Sequence, residues 1–421
     1  MEVYKFGGAS IATPDRMEGL LPVIEGGAKP LILVVSALGK TTNALEAIVN
    51  AACKGDKKSA QGLAKELEQK HLDYAKALLA DENYKKVAAE LNIYFTELQW
   101  AIDDADGNRY DYSYDQVVCI GELFSTKIFS AYLNQKGIEN EWVDARDIIR
   151  TDDTFRDAVV DWPYSQNQAE QVAGAVLKQG KSVITQGFIG STADNASVTL
   201  GREGSDYTAA MMAAMLGAKG VTIWKDVEGL QNADPKEFAN TVKIEAITYH
   251  EVIEMAYYGA QVIHPKTIKP LQNNEIPLYV KCFLDRNLKG TVIKNEVAGF
   301  DYPPLIINKK NQVLIQATTK DFSFITEYNL SHIYQVFSEL NIKINMMQNA
   351  AISFIACVDN REDKVKKLVE ALEGEYKLLR NENVSLLTIR HYTEEILFDL
   401  TRNKIKLLEQ KTRHTVQVVT M

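Results

Sequence analysis

Residues 31–43 read LILVVSALGKTTN. The run LILVVS is continuously apolar, which is typical of a strand buried on both faces of a parallel sheet. Polar residues and a glycine follow it directly. Because ligands of open parallel sheets bind beyond the carboxyl ends of strands, Ser36, Thr42 and Asn43 could hydrogen-bond a small ligand while also capping the following helix, or they could serve as caps alone. Helix capping alone would explain Asn43.

The same pattern recurs on both sides of this stretch. Apolar runs indicating further strands occupy residues 183–187, 221–224 and 278–280, and helical patterns occupy 126–133 and 207–216. This alternation predicts an α/β fold with a mostly parallel sheet sandwiched by helices over residues 1–298. Residues 54–105 are rich in Ala, Lys, Glu and Leu at helical spacing, so they are expected to form an inserted helical pair.

Length and composition limit the classes of protein. A chain of 421 residues is expected to form two or three domains. Its net charge of -9 argues against nucleic acid or an anionic membrane as the main partner. The four cysteines are scattered without a CxxC pair, which favours free thiols in a reducing cytoplasm over disulfides or a zinc site. There is no membrane-length apolar run and no signal-peptide core at the N-terminus, so we expect a cytoplasmic location.

A boundary is expected at residues 299–304, where GFDYPP interrupts the pattern. Beyond it, FSELNIKINMM and FDLTRNKIKLL indicate two copies of a small α+β module. We place the first module at 305–380 and the second at 381–421. The repeat by itself carries no chemistry.

Residues 5–10, KFGGAS, end the first predicted strand. Gly7 and Gly8 could present bare backbone amides to a phosphate, and Lys5 could add a positive charge. An ordinary turn is the alternative. The P-loop pattern GxxxxGK[ST] is absent.

Two further motifs carry charged residues that could bind the charged groups of a ligand. Glu122 lies in an apolar stretch, where it could form a buried salt bridge or bind an ammonium group. Residues 199–208, TLGREGSDYT, offer an arginine fork for a carboxylate (Arg202), a hydroxyl (Ser205) and an acid at a helix start (Asp206). The acid could also simply stabilise the helix N-terminus.

The stretch WKDVEGLQNADP, residues 224–235, follows another buried strand. Lys225 and Asp226 could bind the phosphate or ribose of a nucleotide, whereas Gly229 and Asp234 favour turns. His264 lacks a second metal ligand at suitable spacing, so we expect a structural role for it and no metal site.

In this order the motifs KFGG, SALGKTTN, GE, GREGSD, KDVEG, ADP and YGAQVIHP, followed by paired modules, resemble the aspartokinases over essentially the whole chain. The resemblance implies an amino-acid-kinase fold with two C-terminal ACT modules. It also implies transfer of a phosphoryl group from ATP, with Mg²⁺ and without a phosphoenzyme, to the β-carboxylate of L-aspartate. The product would be 4-phospho-L-aspartate, at the entry to lysine, threonine and methionine biosynthesis.

The resemblance also implies roles for individual residues. Lys5 would stabilise the transferring phosphoryl group, Asp206 would orient Lys5, and Arg202 and Glu122 would bind the α-carboxylate and α-ammonium of aspartate. The rest of the acceptor pocket would consist of Ser36, Thr42 and Ser205. The nucleotide would be bound by Lys5, Gly7, Gly8, Lys225, Asp226, Gln231 and Asp234.

Three positions depart from the family pattern. Ala9 replaces a threonine near the phosphates, Gln231 replaces a tyrosine of the nucleotide loop, and Gln261 stands where some relatives have lysine. These departures leave the nucleotide contacts at Gln231 and Gln261 open.

The ACT modules imply feedback by an end-product amino acid, and lysine, threonine or no effector all remain open. Asn345, Gln348 and Asn349 are the candidate effector contacts. A homodimer or a dimer of dimers is expected, because ACT modules generally pair across subunits. A chain that ends at 421 leaves no room for a fused dehydrogenase, so a monofunctional enzyme is expected.

Two other functions compete with this interpretation. The chain could be an amino-acid sensor whose kinase fold has lost catalysis, although Lys5, Arg202 and Asp206 are all present. It could also be an amino-acid kinase for a different acceptor.

Overall fold

The computed structural model describes residues 1–260, 262–297, 299 and 301–421. These residues divide into two compact units. The first unit comprises Met1–Leu230, Lys243–Ile253 and Val262–Phe300, and the second comprises Gln231–Val242, Glu254–Gln261 and Asp301–Met421. The kinase region predicted at 1–298 therefore lies mainly in the first unit, with two short segments in the second.

The first unit is built on an eight-stranded sheet and a separate two-stranded hairpin. The strands are β1 (Glu2–Phe6), β2 (Leu31–Val35), β3 (Asn140–Trp142), β4 (Ser182–Gln186), β5 (Ile189–Ser191), β6 (Ser197–Thr199), β7 (Val221–Lys225), β8 (Ala246–Thr248), β9 (Leu278–Cys282) and β10 (Thr291–Lys294). The sheet order is β3-β4-β2-β1-β7-β9-β10-β8, and β5 pairs with β6. Neighbours in the large sheet are parallel except β9 and β10. The four buried runs predicted from the sequence are β2, β4, β7 and β9.

Helices connect these strands and cover the sheet. They are α1 (Pro14–Glu18), α2 (Leu21–Glu25), α3 (Thr41–Cys53), α4 (Lys57–Leu78), α5 (Asp81–Asp103), α6 (Tyr110–Val118), α7 (Ile120–Gln135), α8 (Ala145–Ile148), α9 (Trp162–Gln171), α10 (Ala173–Lys178), α11 (Gly204–Leu216), α12 (Tyr249–Tyr258) and α13 (Pro265–Asn273). Short 3-10 turns lie at Gly8–Ile11 and Gly107–Arg109. The inserted helical pair predicted at 54–105 is α4 and α5.

The main core packs α3 to α7 against one face of the sheet. Leu33 and Val35 of β2 lie in it together with Phe124 and Phe129 of α7, all fully buried. All five residues of β2 are buried, because helices cover both faces of a parallel sheet. Packing on both sides fixes the strand ends, and those ends carry the polar residues of the site.

The second unit contains one six-stranded antiparallel sheet. Its elements are β11 (Leu305–Thr319), α14 (Glu327–Glu339), β12 (Ile344–Asn349), β13 (Ser353–Asp359), α15 (Glu362–Leu372), β14 (Tyr376–Arg390), α16 (Glu394–Thr401), β15 (Lys406–Lys411) and β16 (Thr415–Thr420). The order is β12-β13-β11-β14-β16-β15. The two copies of an α+β module predicted from the repeat thus share a sheet.

The long strands β11 and β14 cross the division predicted at residue 380. Residues 305–309 pair with 386–390, and residues 314–319 pair with 376–381. Ile306 accordingly packs in the core of the second module, against Leu387 and Leu397. The boundaries 305–380 and 381–421 remain a prediction, and this pairing favours a first module inserted between two parts of the second.

Among the described residues, no helix is both long and apolar enough to span a bilayer.

Candidate active site

Three adjacent parallel strands bring polar residues to one edge of the sheet. β1 lies between β2 and β7, with Lys5 in register with Val34 and Ile223. Ser36 follows the last residue of β2, and Lys225 is the last residue of β7. Because the strands are parallel, their carboxyl ends open at the same edge, where ligands of such sheets bind.

Lys5 and Asp206 form an ion pair at this edge. Lys5 Nζ lies 2.7 Å from Asp206 Oδ1, and the two side chains are only 12% and 5% exposed. Asp206 stands in the first turn of α11. A fixed ammonium group at a sheet edge can neutralise developing negative charge without reorganising.

The backbone of Gly7 lies close to this ammonium group. A Cβ atom on Gly7 would lie 3.4 Å from Lys5 Nζ, and one on Gly8 would lie 2.6 Å from the carbonyl oxygen of Ala37. No side chain fits at Gly8 without moving the loop after β2. The paired glycines therefore allow the two loops to approach closely beside Lys5.

A cavity of about 390 Å³ opens beside the ion pair. It is lined by all seven residues predicted for catalysis and acceptor binding, which are Lys5, Ser36, Thr42, Glu122, Arg202, Ser205 and Asp206. The hydroxyl of Ser36 donates to that of Ser205 at 3.0 Å, which joins the loop after β2 to the start of α11. The volume of the cavity suits a small metabolite.

Glu122 is the carboxylate at the buried end of the cavity. It is 3% exposed, and its Oε1 accepts a hydrogen bond of 3.4 Å from the backbone N–H of Ala37. Oε2 is buried without a hydrogen-bond partner. Burial raises the pKa of Glu122 to about 8, against weaker opposing effects from this backbone hydrogen bond and Lys5. A buried carboxyl with a free oxygen is suited to receive a cation.

The amino acid kinase family profile matches residues 1–282. The chain belongs to the amino acid kinase family. Lysine-sensitive aspartokinase 3 of Escherichia coli K12 is 30% identical over 361 residues, which cover 85% of this chain and 78% of that enzyme. Within the family, the chain therefore belongs with the aspartokinases.

Solved structures and plant relatives agree with this placement. Aspartokinase III of E. coli, solved in complex with aspartate and ADP, has a TM-score of 0.82 at 25% identity, with 100% of this chain and 96% of that chain covered. The aspartate kinase of Clostridium acetobutylicum shares the fold, with a TM-score of 0.80 at 21% identity and coverage of 100% and 96%. The bifunctional aspartokinase/homoserine dehydrogenase 1 of Arabidopsis thaliana is 28% identical over 393 residues, or 89% of this chain. The chain spans 42% of that relative's length.

The nucleotide residues predicted from the aspartokinase motifs fall into three groups. Lys5, Gly7 and Gly8 lie at the ion pair described above. Lys225 donates from Nζ to the carbonyl oxygen of Val262 at 3.3 Å, and Asp226 is exposed beyond the end of β7. Gln231 and Asp234 belong to the second unit, and Gln261 lies outside the described residues.

The candidate effector residues of this aspartokinase chain lie in two different environments. Gln348 and Asn349 are exposed on the edge strand β12 and line a cavity of about 420 Å³ with Lys411 and other β15 residues. Asn345 is buried instead, and its side chain bonds Lys309, Gln312 and Asp359 at 2.8–2.9 Å. Its amide is engaged within the module, and its role as an effector contact stays a prediction.

Seven further residues line the cavity and were not predicted as site residues, which are Tyr114, Arg156, Phe188, Thr199, Gly201, Glu203 and Gly204. Four of these seven lie within the TLGREGSDYT motif. Glu203 adopts a left-handed conformation, with φ 56°, and its Oε2 accepts from the backbone N–H of His264 at 2.8 Å. His264 also caps α13 through Lys266, which agrees with the structural role expected for it. The unusual conformation of Glu203 has no local sequence signal.

Proposed function

We propose that the chain transfers the γ-phosphoryl group of ATP to the β-carboxylate of L-aspartate, forming 4-phospho-L-aspartate and ADP. The observation that carries the proposal is the single cavity that joins the Lys5–Asp206 ion pair to Arg202 and Glu122. The E. coli relative solved with aspartate and ADP supports the choice of both ligands.

The acceptor is bound through its charged groups. Arg202 receives the α-carboxylate, because a guanidinium fork matches a planar carboxylate, and Glu122 receives the α-ammonium. Ser36, Thr42 and Ser205 supply hydroxyls to the same pocket. With both ends of the amino acid fixed, the β-carboxylate is directed towards Lys5.

Catalysis rests on position and charge. The β-carboxylate is already ionised at neutral pH, so no general base is required. One of its oxygens forms a bond to the γ-phosphorus while the bond to the β,γ-bridging oxygen breaks and ADP leaves with the electron pair. Lys5, held by Asp206, neutralises the charge on the moving phosphoryl oxygens, and the amides of Gly7 and Gly8 assist.

The donor set near Lys5 fits a magnesium ion that arrives with the nucleotide. The described residues contain no cluster of three or more His, Cys, Asp or Glu that could hold a metal alone. Mg²⁺ in kinases usually takes one or two carboxylates together with substrate phosphates, and Asp206 is the protein carboxylate at the ion pair. When bound, the ion would reduce the negative charge of the phosphate oxygens.

The remaining nucleotide contacts follow from the strand order. Lys225 and Asp226 stand at the end of β7, next to β1, and are proposed to bind phosphate or ribose. Gln231 and Asp234 stay proposed nucleotide residues on the aspartokinase motif alone.

Regulation is proposed for the paired modules of the second unit. The E. coli relative has also been solved with lysine and aspartate, which supports lysine over threonine as the effector. Gln348 and Asn349 are its proposed contacts, in a dimer or dimer of dimers.

The test compares phosphoryl acceptors. The full chain with Mg-ATP should release ADP with L-aspartate, and not with L-glutamate or N-acetyl-L-glutamate. The same assay repeated with added lysine, and separately with threonine, identifies the effector. Turnover with another acceptor and not with aspartate would refute the substrate, and absence of turnover with all three would favour the sensor.

A further inference from the structure

Arg156 lies in the wall of the acceptor cavity, although no motif marks it. It belongs to the turn that leads from β3 and α8 towards α9, and its backbone is left-handed with φ 70°. This conformation is uncommon for a residue with a side chain. A defined set of contacts must therefore hold this turn in place.

Asp115 of α6 holds the turn. It is fully buried, and its Oδ2 accepts from the backbone N–H of both Arg156 and Thr199, each at 2.9 Å. Its Oδ1 accepts from the hydroxyl of Thr199 at 2.7 Å. One carboxylate thus fixes Arg156 relative to β6, the strand that leads into the loop of Arg202.

The turn also packs directly against that loop. Gly201 precedes Arg202 and has φ 77°. A Cβ atom at Gly201 would lie 2.6 Å from Asp157 Oδ1 and 3.2 Å from the carbonyl oxygen of Arg156. Arg156 therefore stands on the Arg202 side of the cavity.

The guanidinium group of Arg156 is held loosely. Its carbon lies 4.5 Å from the ring centre of Tyr114, and its Nη1 donates to Asp111 Oδ1 at 3.0 Å. The two ionic side chains are 47% and 62% exposed. Exposed ion pairs contribute little, so another carboxylate can replace Asp111 without a large loss.

The guanidinium group of Arg156 could balance negative charge that the acceptor brings into the cavity. An aspartate acceptor brings two carboxylates, whereas Lys5 is already paired with Asp206. We propose that Arg156 is a second guanidinium ligand for the α-carboxylate of the acceptor, which it binds together with Arg202 in exchange for Asp111. This inference rests on the proposed function and makes Arg156 a specificity-determining residue.

The experiment compares two ligands that differ in one carboxylate. Dissociation constants for L-aspartate and for L-aspartate α-amide are measured for the wild-type chain and for Arg156→Ala, the amide by competition. The variant should bind L-aspartate about tenfold more weakly and the α-amide within about twofold of wild type, because the amide lacks the charge that Arg156 binds. Arg109→Ala is the matched control, since Arg109 stacks on Tyr112 at 4.2 Å outside the cavity lining.

Equal losses for both ligands, or no loss for either, would overturn the inference. Asp111→Asn should tighten L-aspartate binding, because it removes the competing carboxylate. If Arg156→Ala lowers the melting temperature, Arg156→Lys keeps the charge without the fork and should weaken L-aspartate binding to an intermediate degree. The wild-type chain could turn over aspartate while Arg156→Ala binds both ligands normally. That result would leave the proposed function intact and would exclude the role of Arg156. No turnover in wild type would refute the function itself.

Discussion

Binding of the acceptor should release a proton from Glu122. Burial raises the pKa of this carboxyl to about 8, so about one tenth of the molecules carry the charged form at pH 7. An ammonium group bound at this site favours the carboxylate, because the attraction replaces the lost solvation. Binding at pH 7 should therefore release about 0.9 proton from each molecule.

The same equilibrium sets the pH dependence of affinity. Ionising Glu122 at pH 7 costs about 1.4 kcal/mol, and this cost falls to zero well above pH 8. The dissociation constant of L-aspartate should therefore fall about tenfold from pH 6 to pH 7 and about fivefold from pH 7 to pH 8. The substrate's ammonium group and both of its carboxylates keep their charges near neutral pH, so this slope belongs to the protein.

Calorimetry provides the assay. L-aspartate is titrated into the chain near pH 7 in two buffers of different ionisation enthalpy, and the difference in observed heat gives the number of protons released. Glu122→Gln should abolish the release and flatten the pH dependence, whereas Glu90→Gln, a surface carboxylate paired with Lys127, should leave both unchanged. Identical heats in the two buffers for the wild-type chain, with affinity independent of pH, would show that Glu122 does not lose a proton when aspartate binds.

Three further changes test other parts of the account. Asp206→Asn removes the partner of Lys5, so kcat with Mg-ATP and aspartate should fall about a hundredfold, and a normal kcat would exclude the orienting role. Arg202→Lys replaces a fork by a point charge, so steady-state kinetics should show KM for aspartate raised about tenfold with a smaller change in kcat, and an unchanged KM would contradict the assignment. Burial lowers the pKa of His71 to about 4 in the folded chain. As the pH falls below 6.5, His71 is therefore protonated in the unfolded chain but not in the folded chain, and this favours unfolding. The free energy of unfolding should fall by about 3 kcal/mol between pH 6.5 and about 4. Urea titrations should show a smaller fall for His71→Gln. Equal falls for the two chains would contradict the assignment of this pH dependence to His71.

The core strands could be predicted because burial on both faces leaves a continuous apolar run. β2, β4 and β7 are buried over nearly their whole length, whereas β9 (LYVKC) alternates between buried and half-buried residues and was found from its first three residues alone. In the long strand β11 the polar residues KKNQ at 309–312 interrupt the apolar pattern. The structure accommodates this stretch with a shift in register and a left-handed Asn311, at φ 52°. Such irregularities depend on the partner strand, so a local pattern does not reveal them.

Some site residues could be predicted from the sequence and others could not. Lys5 lies near the end of a predicted strand, Ser36 follows one, and Arg202 lies in a motif that contains glycines. The structure brings all three to one cavity. Arg156 and Thr199 reach the cavity through Asp115, which is 41 and 84 residues away along the chain. Contacts over such separations are set by tertiary packing, and no spacing in the sequence encodes them.

Trapping of the acyl phosphate product is the decisive assay for phosphoryl transfer to aspartate. The full chain is incubated with Mg-ATP, L-aspartate and hydroxylamine, which converts an acyl phosphate to a stable hydroxamate. We expect β-aspartyl hydroxamate in equal amount to ADP, and about a hundred- to a thousandfold slower formation in Lys5→Ala. ADP released without hydroxamate, or an undiminished rate in Lys5→Ala, would contradict this expectation.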